Sequence, residues 1–153
     1  MDKFGLDKVI SNLARSQREV LVLLSNQASK YFLDSFTKQS WDGQSWKQVQ
    51  RRESGTKAYK YPKTKGLQRR TSPILVGAGY KTRGGTLRRA VSTMARTAEV
   101  SSDKVRMIVD LPYAQRHNEG LDMPKRTFVG QTDDLTRMQI EKIKEIMDKI
   151  WQR

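Results

Sequence analysis

Apolar residues recur at three- and four-residue intervals over residues 6–36, at Leu6, Val9, Ile10, Leu13, Val20, Leu21, Leu24, Ala28, Tyr31 and Phe32. That spacing puts them on one face, so the pattern predicts a long amphipathic helix. It stops before Trp41-Asp42-Gly43-Gln44-Ser45-Trp46. Glycine takes positive φ without steric cost, so the Asp-Gly step predicts a turn. Each flanking indole, if buried, removes on the order of 200 Å² from water. Packing, rather than stacking on a ligand, is the role read for Trp41 and Trp46.

Periodicity then disappears. Residues 47–72 are rich in Lys, Arg, Thr, Gln and Gly and include Tyr59-Lys60-Tyr61-Pro62. They read as a long mobile basic loop, and such a loop in a compact domain is usually functional or orders on a partner. Ile74-Leu75-Val76, Gly77-Ala78-Gly79 and Gly84-Gly85-Thr86 precede Leu87-Arg88-Arg89-Ala90-Val91: a short apolar run, a glycine turn and a short helix.

Polarity alternates over residues 92–100 and 104–111, with Met94, Ala98 and Val100 facing Val105, Met107 and Val109 across the turn Ser101-Ser102-Asp103. This predicts an antiparallel hairpin with one buried face. A last helix is expected over about residues 133–151, with Thr132 as N-cap and Asp133 and Asp134 in its first turn. Its apolar stripe is Leu135, Met138, Ile143, Ile146, Met147 and Ile150, and Glu141–Lys144 and Glu145–Lys149 are spaced for weak ion pairs. The predicted class is α+β, with a long N-terminal helix and a C-terminal helix packed on a small antiparallel β-sheet, plus a long basic loop.

A length of 153 residues suits a single domain over 1–153. The longest apolar run, Val20-Leu21-Val22-Leu23-Leu24, falls far short of the roughly 18 residues that cross a bilayer. The start, Met1-Asp2-Lys3-Phe4, has no secretory pattern. A soluble chain that stays where it is made is expected, with no membrane partner. With no cysteine and one histidine, neither disulfides nor a structural zinc site are expected, and no metal or cofactor is assigned.

Charge changes the picture more. The net charge is +14, and residues 47–89 hold 13 Lys and Arg against the single acid Glu53, leaving little excess elsewhere. So localised an excess points to a polyanionic partner. Three readings stand: solvated charge, contact with DNA phosphates, or docking on an acidic protein. Tyr59 and Tyr61 among lysines suit stacking on bases, but no recognition helix or RNA-binding signature accompanies them, so base-specific reading is not expected.

Candidate chemistry is sparse. The segment from Ile74 through Gly79-Tyr80-Lys81-Thr82-Arg83-Gly84-Gly85-Thr86 imitates a phosphate-binding loop, but Gly85 stands where the loop needs its lysine, and no βαβ repeat follows. A flexible turn is the better reading. His117 has a side chain that titrates near neutrality, yet no nucleophile is identified to partner it, so a structural role is preferred. Four residues after Tyr113 it shares that residue's helical face, where a ring nitrogen is expected to bond a nearby backbone group. Gly120 suits the left-handed end of that helix. Pro124-Lys125-Arg126-Thr127-Phe128 is expected to be extended and able to add a strand to a neighbour. Arg126 would then contact a carboxylate, while Phe128 fills a pocket, in its own core in preference to one across an interface. No catalytic constellation emerges, and an enzyme is not expected.

Tyr113, Ala114, His117 and Gly120, followed by Pro124, Arg126, Phe128, Gly130 and the helix start at Thr132, resemble the signature of the virion morphogenesis, or tail completion, family of Mu-like tailed phages. Asp42, Gly43 and Trp46 match a further element of that family, whereas residues 50–85 match poorly. The resemblance implies a non-enzymatic neck protein that enables heads to join tails as a homo-oligomeric ring around the DNA channel. It implies other neck, connector or tail proteins as partners, nonspecific contact with genomic double-stranded DNA, and a place in the virion after assembly in the host cytoplasm. Tyr113, His117, Pro124, Arg126 and Phe128 are then expected at a subunit or partner interface. Arg69, Arg70, Lys81, Arg83, Arg88 and Arg89 are expected at the channel or on an acidic partner. The competing reading is a nonspecific DNA-binding protein acting through residues 47–89.

Overall fold

The computed structural model describes residues 6–61, 70, 72–75 and 85–151, with side chains for residues 14–149 within them. Helix α1 (Leu6–Lys38) fulfils the long periodic pattern. It ends where Gln39 turns left-handed (φ 52°), with Lys38 in the last turn near the negative end of the helix dipole. Strands β1 (Ser40–Trp41) and β2 (Gln44–Ser45) follow at once and pair antiparallel. Asp42 and Gly43 both have positive φ, 48° and 77°, as a two-residue turn matching the strand twist requires. The Trp46 amide donates to the Gln39 carbonyl at 2.8 Å and ties the hairpin to the end of α1.

The described part of 47–72 is not structureless, which corrects the loop expectation. Gln50–Arg52 form a 3-10 turn and Lys57–Lys60 a short helix α2, whose N-cap Thr56 accepts from the Tyr59 amide. Arg51 donates to the carbonyls of Ser72 and Pro73, both at 2.8 Å, and Arg52 donates to those of Ser72 and Arg70. Guanidinium groups thus supply the hydrogen bonds that a strand ladder would otherwise give. Residues 62–69 and 71 lie outside the described residues.

Helix α3 (Thr86–Thr93) starts at Gly85, whose φ of 94° favours glycine, and buries Leu87 and Val91. Against α1 the contact is polar as well as apolar: buried Ser29 Oγ donates to the Val91 carbonyl at 2.9 Å. Ser25, Ser29 and Ser35 line the buried side of α1 beside Ala28, Phe32 and Phe36. Strands β3 (Glu99–Val100) and β4 (Val105–Arg106) form the second hairpin. It is shorter than expected, because residues 92 and 93 belong to α3 and residues 107–111 leave the ladder. Among the described residues the strands make two separate two-stranded hairpins in place of one small sheet, still within an α+β fold.

A short helix α4 (Ala114–Glu119) and the final helix α5 (Asp133–Trp151) complete the chain. Thr132 caps α5 as expected: its Oγ1 accepts from the Leu135 amide at 3.1 Å and bonds the Tyr31 hydroxyl at 3.0 Å. The core joins Phe32 and Phe36 of α1 to Trp46, Leu87, Val91, Met94, Phe128 and Leu135. Beyond it, α5 runs antiparallel to α1, with Gln27 Nε2 donating to the Met138 carbonyl and Val20 and Leu23 flanking a groove that Ile146 also lines.

Helix α5 corrects one expectation. Leu135 is buried and Met138 and Ile146 are partly so, but Ile143 and Met147 are exposed on another face. Glu145 pairs with Lys149 at 2.6 Å as predicted and also with Lys142 at 2.7 Å, whereas Glu141 does not pair with Lys144. The two lysines hold the Glu145 carboxyl down at about 2. The side chains of Leu6, Val9, Ile10, Leu13 and Ile150 lie outside the described residues, and no described helix is long and apolar enough to cross a membrane.

Candidate functional site

Residues 113–130 form one hydrogen-bonded unit. Tyr113 precedes α4, the His117 amide donates to its carbonyl, and the helix ends at Gly120 in the left-handed region (φ 80°). The Gly120 amide donates to the Arg116 carbonyl at 2.9 Å. A Cβ on Gly120 would lie 2.7 Å from the Lys125 Cβ and 3.0 Å from its Cα and amide nitrogen. Both φ and the returning chain therefore demand glycine.

The return is fastened by Asn118, a residue to which sequence reasoning gave no role. Its Oδ1 accepts from the amides of Phe128 (2.9 Å) and Val129 (3.1 Å), and its Nδ2 donates to the Val129 carbonyl at 3.0 Å. One side-chain amide thus satisfies three main-chain groups, as a paired strand would. The Arg126 amide donates to the His117 carbonyl at 2.8 Å, and Trp46 Nε1 donates to the Thr127 carbonyl at 2.8 Å. These groups are consumed inside the chain. The segment is not the open edge that was expected to add a strand to a neighbour.

Phe128 is 1% exposed and lies 5.4 Å, centroid to centroid, from Phe36, so it fills its own core, the preferred reading. Arg126 is 7% exposed, and its Nε and Nη2 donate to the Lys47 carbonyl at 3.2 and 3.0 Å. It binds main-chain carbonyls and not the expected carboxylate. Burial lowers its pKa, with Glu53 pulling the other way. Both residues are buried, so neither is available for the interface at which it was expected. Pro124 and Tyr113 are exposed.

His117 is half-buried and packs edge-on against Tyr113 at 6.2 Å. Its Nδ1 is buried without a hydrogen-bond partner, so the bond to a backbone group expected of a ring nitrogen is not made there. Burial, then the nearby Arg126 charge, depresses its pKa below 6.5. Trp41 and Trp46 pack as expected, Trp41 edge-on to Tyr31 at 5.8 Å and Trp46 edge-on to Phe36 at 5.7 Å.

The basic residues divide by what they touch. Arg51 and Arg52 hold carbonyls, as above. Arg70 lies over the Tyr59 ring at 4.0 Å and donates to the Tyr59 carbonyl, so that tyrosine's face is occupied within the chain. Arg88 and Arg89 project from the first half of α3 into solvent. Arg69, Lys81 and Arg83 lie outside the described residues, as does the glycine-rich stretch before Gly85. Elsewhere an open cleft of about 390 Å³ is lined by Tyr31, Trp41, Asp34, Asp42, Asp134 and Lys38. Lys38 pairs with Asp34 there at 2.6 Å.

No family model, no curated protein and no solved structure matches the chain.

Proposed function

We propose that the chain is a non-enzymatic assembly protein of a phage or prophage, which completes the neck or tail end and lets filled heads join tails. Its partners are further copies of itself, in a ring around the DNA channel, and other neck, connector or tail proteins. It works in the virion at the head–tail interface after assembly in the host cytoplasm. The observation that carries this reading is the meeting of two distant motifs. Trp46, from the Asp42-Gly43-x-x-Trp46 element, donates to Thr127 inside the Pro124–Gly130 element. His117, Asn118, Gly120, Arg126 and Phe128 then lock around that contact. Asn118 apart, these residues are ones that carry the sequence resemblance, and their meeting in a single packed unit supports a shared architecture.

The test is to disrupt the gene in the phage or prophage that carries it and to view the lysate by electron microscopy. Filled heads beside separate tails are expected. Joined, infectious virions would overturn the proposal.

A second reading, nonspecific DNA binding, is favoured by the exposed pair Arg88 and Arg89 within the strongly basic 47–89 region. It predicts that the isolated subunit binds duplex DNA tightly, with affinity falling steeply as salt removes the gain from counterion release. The assembly reading requires joining to fail whether or not the free subunit binds DNA.

A further inference from the structure

Helix α5 carries a second apolar stripe, on a face other than the one turned to the core. Ile140, Ile143 and Met147 are 48%, 37% and 44% exposed, and their spacing of three and then four residues aligns them on one side. Beside them Arg137, Glu141, Lys144 and Asp148 make a line of exposed charges that alternates in sign. Arg137 also pairs with Asp134 in its own helix.

We propose that this face of α5 docks against the same face of a second copy of the chain, with the two helices antiparallel. The charge order carries the choice of occupant. A two-fold axis between Lys142 and Ile143 sets Arg137 opposite Asp148 of the second copy and Glu141 opposite Lys144, each twice. It also lays the two apolar stripes side by side. A parallel pairing in register would set every charge against its own kind. Helix α5 holds five acids and four bases. Two chains of net charge +14 therefore approach there without the repulsion that their basic regions would impose. Such a contact is isologous and closes at two copies, unlike the heterologous contact of a ring. It does not depend on the phage reading.

Sedimentation equilibrium of the full chain, from low to high micromolar, is expected to show a reversible dimer. Ile143→Glu should weaken it roughly tenfold or more, with far-UV circular dichroism unchanged and with Tm unchanged at concentrations where the parent is monomeric. Two charge variants separate contact between copies from effects within one helix. Glu141→Lys and Lys144→Glu should each weaken self-association, and an equimolar mixture of the two should recover it, because only a mixed pair restores opposite charges across the axis. A monomeric wild type overturns the proposal. So does a dimer insensitive to all three variants, a mixture that associates no better than its components, or a larger assembly whose mass the single charge variants leave unchanged.

Discussion

Trp46 Nε1 donates to the Thr127 carbonyl at 2.8 Å, joining residues 81 apart in the chain. The same indole packs edge-on against Phe36, so one side chain fastens the end of α1, the first hairpin and the returning segment 126–129. Trp46→Phe keeps most of the ring but orphans a carbonyl, and should cost about 1–2 kcal/mol. Trp46→Ala adds a cavity and should cost about 3–5 kcal/mol. Urea unfolding of both variants separates the two contributions, and equal losses would mean that the ring packing adds nothing beyond the hydrogen bond that both variants lose.

Asn118 bonds the amides of Phe128 and Val129 and the carbonyl of Val129. Asn118→Asp keeps the acceptor but replaces the donor with an oxygen that faces the Val129 carbonyl. Stability should fall by about 1–3 kcal/mol at neutral pH, and part of it should return in mildly acidic solution, where a protonated carboxyl donates again. Asn118→Ala should be unstable at both pH values. Thermal melts at neutral and mildly acidic pH check the contrast, and an Asn118→Asp melt that shifts with pH only as the parent's does would refute it.

The contrast between Trp46 and Asn118 marks what the sequence made legible. Helices α1 and α5, the turn at Asp42-Gly43, the packing of both tryptophans and the left-handed Gly120 follow from local rules, periodicity and backbone sterics, that leave a trace in neighbouring residues. Asn118 leaves none, since an asparagine that replaces a strand reads like any polar residue near a turn. Arg51, Arg52 and Arg126 misled for a related reason: a guanidinium that satisfies buried carbonyls has the same sequence signature as a solvated one. The buried serines of α1 were missed because small polar residues weaken an apolar stripe even where they permit a close helix crossing. On α5 two apolar faces overlap in sequence, so a single stripe merged residues that point in different directions. The strands of the second hairpin were drawn too long because alternation persists into residues that α3 and the following turn claim.

Gly120 combines a φ of 80° with the close approach of Lys125. Gly120→Ala therefore meets backbone as well as side-chain atoms, and should cost more than the roughly 1 kcal/mol of an unobstructed left-handed site, about 2–3 kcal/mol. Gly43 has a similar φ of 77° with open space around it, so Gly43→Ala should cost only the smaller amount. Equal melting temperatures for the two variants would show that Lys125 yields freely.

His117 has a folded-state pKa below 6.5, chiefly through burial and then through Arg126. A histidine depressed on folding binds its proton more readily when unfolded, so its contribution is complete above the unfolded value. It is lost progressively as pH falls from about 6.5 toward the folded pKa. Stability of the parent should decline over that interval. His117→Phe removes the titrating group while keeping an aromatic edge for Tyr113, and should flatten the decline. Identical pH profiles for the two proteins would assign the slope to other groups.

Arg88 and Arg89 offer a test of the basic surface that spares the fold. Both are exposed in the first half of α3, where acids are favoured by the helix dipole. The double change Arg88→Glu with Arg89→Glu should therefore alter stability by no more than about 0.5 kcal/mol. Arg52→Glu, by contrast, sets a carboxylate against the carbonyls of Ser72 and Arg70 and should destabilise the chain by about 2 kcal/mol or more. If the α3 surface contacts DNA, the double variant should bind duplex more weakly, with the slope of log affinity against log salt shallower by about 1–2. Phage complementation with the same variant then tests joining directly: a folded protein that binds DNA less but still joins heads to tails would remove DNA contact at α3 from the assembly step. Unchanged DNA affinity would remove the surface from DNA binding altogether.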